Sequence, residues 1–224
     1  MDWQAIWLTV KLASLVSAIL LVVSLPLAHW ITFSRRRWTF LVESVVSLPL
    51  VLPPTVLGFY LLLLMGTRSP AGRLWTEWTG HSLAFTFEGL VIASVLYSLP
   101  FAVQPVAAAF AQIDPTLREA SAMLGASTFR TFLRIVLPLS IEGVVAGVVL
   151  SFAHTVGEFG VVLMVGGNLP GVTRTVSIAI YDQVQALHYG DANRTALALL
   201  AFSFVVLLGV YGLRRRPWAA TPLA

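Results

Sequence analysis

Few side chains in this 224-residue sequence could do chemistry, and the most unusual of them sits in an apolar run. Residues 143–171 read GVVAGVVLSFAHTVGEFGVVLMVGGNLPG, which places Glu158 between Gly157 and Gly160 with His154 four residues earlier. Side chains four apart share one face of a helix, so a His154–Glu158 hydrogen bond or ion pair is open. An ionisable group at such a place is costly and therefore a functional candidate. A bare carboxylate would repel an anion, so a helical joint or a gate support suits Glu158 better than a binding group. Beyond the run, Asn168, Thr173 and Arg174 form a polar stretch. The Arg174 guanidinium can give an anionic group two hydrogen bonds; the plainer alternative is a solvated loop arginine.

Several chemistries are excluded. There is no cysteine, hence no disulfide, thiolate metal site or cysteine nucleophile. The patterns H-E-x-x-H and G-x-S-x-G are missing, which leaves an intramembrane enzyme built on His154 and Glu158 without nucleophile or metal ligands. No G-x-x-x-x-G-K-[ST] phosphate loop occurs, and the single lysine, Lys11, has no glycine before it. Energy for any driven process must come from another chain, and no cofactor is expected in this one.

These residues need elements to hold them, and composition says which. The chain is 58% hydrophobic and 11% charged, against about 25% charged in a soluble domain. An all-α integral membrane protein in contact with lipid follows. Five stretches are long enough to span: about 5–33, 45–65, 84–110, 141–165 and 195–213, forming a single domain over 5–213 with a tail at 214–224. Met1–Trp7 has no basic n-region, so the first run reads as a span rather than a cleavable leader. Pro53 and Pro54 fall inside the second span and must kink it. The break either shapes packing or lines a watery path, since freed carbonyls need protein or water. Gly143 and Gly147 form a G-x-x-x-G pair suited to close helix approach.

Basic residues set the orientation. Arg35, Arg36, Arg37, Arg118, Arg130, Arg134, Arg214, Arg215 and Arg216 fall on one side; Lys11, Arg68, Arg73, Arg174 and Arg194 fall on the other. The richer side should be cytoplasmic, leaving the N-terminus outside and the C-terminus and residues 111–140 inside. The net charge of +4 then reflects loop anchoring rather than nucleic-acid binding.

Residues 111–140 form a long polar break between the third and fourth spans. Asp114-Pro115 is a helix start, Leu117, Ala120 and Leu124 share one face, and Gly125 can end the helix in the left-handed conformation. Ser127 can cap a second helix with an apolar stripe of Phe129, Phe132, Leu133 and Val136. Pro138 marks entry to the fourth span. A surface-bound amphipathic helix is the alternative, and it suits the second helix better than the first, whose Glu119 would face anionic lipid.

The spacing Glu119-Ala120-x(4)-Gly125-x(9)-Ile135-x-Leu137-Pro138 resembles the EAA loop of permease subunits of binding-protein-dependent ABC importers. Ser121 stands where that family often has a second alanine. The stretch F-A-H-T-V-G-E-F-G, the following N-x-P-G-x-T-R-T, and Leu48–Phe59 are similar to molybdate permease subunits and, less closely, to sulfate permeases. Members often carry arginine where His154 stands. The resemblance runs from about Trp7 to Leu213. It implies the type I importer transmembrane fold in the cell membrane and a homodimer working with a dimer of ATPase subunits that bind ATP and Mg. It also implies an extracytoplasmic binding protein that delivers molybdate or tungstate. On this reading Glu119, Ala120, Ser121, Gly125, Ile135, Leu137 and Pro138 couple to the ATPase. Pro53, Pro54, His154, Gly157, Glu158, Gly160, Asn168 and Arg174 are translocation or gate candidates. A sulfate or thiosulfate permease is the near rival, since the oxyanions share charge and shape. A passive channel would have no use for the loop.

Overall fold

The computed structural model describes residues 2–34 and 36–213, and all regular structure among them is helical. Arg35, Arg214, Arg215, Arg216 and the rest of the expected tail lie outside the described residues. The chain divides into two units, Asp2–Ala179 and Ile180 onward.

The first span is α1, Trp3–Phe33, opened by the Asp2 carboxylate, which accepts the Ala5 N–H at 3.0 Å. Its most apolar 18-residue stretch has a mean hydropathy of 2.3, the highest of the three helices among the described residues that are long and apolar enough to cross a membrane alone. The others are α5, Phe87–Ala111, and Tyr189–Gly209 of α12, Tyr189–Leu213. Glu88 lies in the first turn of α5, beside the positive end of the helix dipole.

Two further spans exist only as bent pairs, which brings the total to five if each pair crosses once. The expected second span is α2, Thr39–Val51, and α3, Pro54–Met65, meeting at 114°. The residue before a proline is pushed into extended conformation. Leu52 precedes Pro53 and Pro53 precedes Pro54, and their ψ angles are 137° and 135°. Two consecutive extended residues turn a kink into a corner. A short helix, α4, Pro70–Thr79, follows, with Ser69 as its cap and Gly80 closing it at φ 80°.

After α5 the chain forms α6, Pro115–Met123, and α7, Thr128–Thr131. The expected continuous stripe then passes through a π-helical turn, Phe132–Val136, in which the Leu137 N–H reaches the Phe132 carbonyl. The short α8, Leu137–Leu139, carries Pro138, which has no N–H to give the turn before it. The path bends 73° into α9, Ile141–Gly157. The expected fourth span is interrupted: α9 stops at Gly157, Glu158 is extended at ψ 134°, and α10, Gly160–Gly166, begins anew.

Packing in the first unit centres on α1, α5 and α9. Leu12, Val16 and Leu20 of α1 bury against Leu90 of α5, Val162 of α10 and Ile178 of α11, Val176–Gln185. Leu61 and Met65 of α3 pack with Ala93, Val161 and Val165. Gly143 and Gly147 lie directly on α5: a Cβ would come within 2.7 Å of the Pro105 carbonyl at the first and 2.8 Å of the Ala102 carbonyl at the second. The G-x-x-x-G pair thus seats α9 on α5.

In the second unit, Asp191 sits in the first turn of α12, 3.9 Å from the Arg194 guanidinium, and its carbonyl accepts the Thr195 hydroxyl at 3.0 Å.

Candidate functional site: a carboxyl at a helix break and a loop helix with an open tip

The break between α9 and α10 leaves Glu158 only 3% exposed. A buried carboxyl needs donors, and α5 supplies them. The Ser94 hydroxyl donates to one oxygen at 2.5 Å and the Ser98 hydroxyl lies 3.4 Å from the other. Ser94 and Ser98 are one helical turn apart, so both point from α5 to the same place. The Ser98 oxygen is also 2.9 Å from His154 Nδ1 and 2.9 Å from the Thr155 hydroxyl. Thr155 in turn donates to the Ser151 carbonyl.

His154 and Glu158 face one another, as four-residue spacing requires, yet the nearest atoms are 3.9 Å apart. That is too long for a hydrogen bond. Ser98 stands between the two instead. The imidazole is held flat against Phe101, centroids 3.9 Å apart at 23°, and tilted against Tyr97 at 4.7 Å. Position and tilt of this ring are therefore set by α5, not by its own helix.

The proline break and the carboxyl break meet. A Cβ on Gly160 would come 2.7 Å from Pro54 Cβ, and one on Gly58 would come 2.8 Å from Met164 Cβ. Glycine at these two positions lets α3 and α10 touch. Pro54, Thr55, Tyr97, His154, Glu158 and Gly160 line a cavity of about 560 Å³ at this junction, and Gly157 lies on its wall. Pro54, His154, Gly157, Glu158 and Gly160 thus come together in one place, and Pro53 precedes Pro54 in the chain without lining the cavity.

Asn168 and Arg174 do not join them. Arg174 Nε donates to the Asn168 side-chain carbonyl at 2.6 Å, and its guanidinium lies 3.9 Å from the Asp2 carboxylate. Instead of a solvated loop arginine, the structure has a tie between the loop after α10 and the start of α1. Thr173, expected at the surface, is fully buried; its hydroxyl donates to the Gly166 carbonyl at 2.7 Å and accepts the Leu169 N–H.

The loop helix α6 is built from local signals. Asp114 accepts the Thr116 N–H at 2.9 Å, and this bond holds its carboxyl below the usual carboxylate range. Pro115 occupies the first turn. Gly125 at φ 75° ends the helix, donating to the Ala122 carbonyl. Ser127 caps α7 by accepting the Arg130 N–H. Of the seven loop residues singled out by spacing, Ser121 is buried and bonds the Thr131 hydroxyl at 2.8 Å, fastening α6 to α7. Glu119, Ala120, Gly125 and Pro138 are exposed, and Ile135 and Leu137 are half-buried. The tip of α6 presents Met123, 90% exposed, and Leu124, 88% exposed. Two such side chains at a helix end are an unusually apolar termination for a polar loop.

Sequence reasoning missed Ser94 and Ser98. Their signal was two hydroxyls four residues apart within an apolar span. It also missed Arg118, whose guanidinium lies 3.7 Å over the Phe33 ring.

This architecture has known relatives. Residues 21–216 match the family described as binding-protein-dependent transport system inner membrane component. The chain is 51% identical over 215 residues to the molybdenum transport system permease protein ModB of Azotobacter vinelandii, covering 96% of this chain and 95% of that one. It is 37% identical over 210 residues to the protein of the same description from Escherichia coli K12, covering 92% and 90%. In fold it is similar to a crystal structure of a bacterial ABC transporter involved in the import of the acidic polysaccharide alginate. That likeness has a TM-score of 0.77 at 18% identity and covers 96% of this chain and 79% of that one. Broken apolar helices, a loop helix with an open tip and these matches agree: the chain is a multi-pass inner-membrane protein and belongs to the family of binding-protein-dependent transport system inner membrane components.

Proposed function

We propose that this chain is the membrane subunit of an ABC importer that carries molybdate, and tungstate as its near analogue, into the cell. The observation that carries the reading is 51% identity over 96% of the chain to a molybdenum transport permease. Two copies form the translocation unit. An extracytoplasmic binding protein delivers the oxyanion to the face that bears the N-terminus, and the C-terminus lies in the cytoplasm. Hydrolysis takes place on a separate ATPase dimer, which holds ATP and Mg²⁺. The lack of a phosphate loop and the single lysine in this sequence support that division of labour.

The loop helix α6 is the docking element. Leu117, Met123 and Leu124 offer it apolar contacts that the described residues leave open, with exposures of 44%, 90% and 88%. Ser121 and Gly125 fix its angle to α7. ATP favours the closed ATPase dimer, and that differential binding biases the spans between inward and outward access. The cavity at the α3–α10 junction is the segment of path this chain contributes. Glu158 serves there as a tie between helices, since its oxygens are already engaged by α5.

Uptake of labelled molybdate into vesicles holding the reconstituted complex, with sulfate as competitor, tests the assignment. Molybdate should enter in an ATP-dependent manner and sulfate should compete poorly. Strong sulfate uptake with none of molybdate would overturn the cargo. Retained transport after replacing both Met123 and Leu124 by aspartate would overturn the docking role.

A further inference from the structure

The loop helix α6 reaches the membrane helices through a guanidinium stacked on a ring. Within Pro115–Met123 only Ser121 is buried, and its bond leads to α7 in the same loop. Arg118 reaches further: its guanidinium lies 3.7 Å over the face of Phe33, the last residue of α1. Behind Phe33 stands a connected set of rings. Phe33 stacks on Phe110 of α5, centroids 6.0 Å apart at 21°, and Phe110 is fully buried. His29 of α1 meets Phe33 edge-on at 4.9 Å and Phe132 of the π-helical turn at 5.4 Å. The rings therefore join the ends of α1, α5 and the loop's return path.

From this arrangement we infer that the Arg118–Phe33 contact is the joint through which a displacement of α6 reaches α1 and α5. The inference rests on the reading of α6 as the ATPase-docking element. Three features fit a joint better than passive packing. Arg118 takes part in none of the ion pairs among the described residues, and its guanidinium meets the aromatic face instead. A guanidinium over a ring is attracted to the whole face rather than to one atom, so it can slide without letting go. A cavity of about 150 Å³, lined by His29, Arg118, Ala122, Thr131 and Phe132, gives the pair room to do so. Arg118 and Phe33 are positioning residues: neither is placed at the cavity of the α3–α10 junction.

The test uses the complete complex of permease, ATPase and binding protein in vesicles, and reads ATP hydrolysed per molybdate moved. In Phe33→Leu the ATPase should still co-purify, while that ratio rises about threefold or more as push on α6 is lost before the spans. Phe33→Tyr keeps the ring face and should stay near wild type. Arg118→Gln should raise the ratio as Phe33→Leu does, and the double variant should be no worse than either single one. An unchanged ratio in Phe33→Leu, or additive effects in the double variant, overturns the joint. If Phe33→Leu does not fold, Arg118→Gln decides alone: a raised ratio supports the inference and an unchanged one ends it. Failure of the docking reading itself looks different, because α6-tip variants would then leave ATPase co-purification unchanged.

Discussion

Replacing Glu158 by alanine removes the group that ties the helix break to α5. Ser94 is fully buried and its hydroxyl donates to the carboxyl at 2.5 Å. An orphaned buried hydroxyl costs about 1–3 kcal/mol. Ser98 fares better, since His154 and Thr155 remain at 2.9 Å each. The void left by the shortened side chain adds about 1 kcal/mol, for a total of about 2–4 kcal/mol. At about 2–4 °C per kcal/mol for a chain of this size, that is a fall in melting temperature of roughly 4–16 °C. Glu158→Gln keeps a carbonyl acceptor for Ser94 and nearly the same volume, so it should lose about 1 kcal/mol or less. The assay is thermal unfolding of the detergent-solubilised protein, followed by the loss of the monodisperse peak. Adding Ser94→Ala to Glu158→Ala should restore part of the loss, because the orphaned hydroxyl is gone. If Glu158→Ala and Glu158→Gln unfold together, or if Ser94→Ala deepens the loss, the tie is not what holds the break.

Two other substitutions separate geometry from chemistry. Gly125→Val should cost about 1–2 kcal/mol from the left-handed backbone alone, because a Cβ there meets nothing within 4 Å; Gly125→Asn should be milder, and pull-down of the ATPase should follow the same order. Gly143→Val forces a side chain into Ala109 and the Pro105 carbonyl and should cost about 1–3 kcal/mol or more, whereas Gly157→Ala enters open space and should leave the melting temperature within about 2 °C. Equal melting temperatures for those two would mean that α9 does not sit on α5 as described.

The parts legible in the sequence were those set by neighbours along the chain. Asp114, Pro115, Gly125 and Ser127 act within four residues of themselves, so the loop's helix, turn and helix could be read directly. The Pro53-Pro54 corner was legible as a kink, but its 114° was not, because the angle depends on what α3 packs against. The break at Glu158 carried no proline. It exists because partners 64 and 60 residues away hold the carboxyl outside the helix line. The His154–Glu158 pair was expected from spacing, and the intervening Ser98 was not, since it arrives from another helix. Likewise Arg174 read as a loop charge because Asp2, its partner, lies at the far end of the unit's sequence.

The contact of Pro54 with Gly160 has a mechanical consequence. Helix α3 is severed from α2 at Leu52–Pro53, and α10 is severed from α9 at Glu158–Phe159. The backbone bonds at these points stay on their own side: Leu52 donates back to Leu48, Leu57 to Pro53, Glu158 to Thr155 and Leu163 to Phe159. Meanwhile Leu61, Met65, Val161 and Val165 bind α3 and α10 into one body. Both chain breaks border that body. Turning it about these breaks would cost no hydrogen bond within α2, α3, α9 or α10; what holds it in place is the Phe85 N–H on the Val165 carbonyl, the Thr173 hydroxyl on the Gly166 carbonyl and packing on Ala93 of α5, while the carboxyl pinned by Ser94 lies on the α5 side of the break.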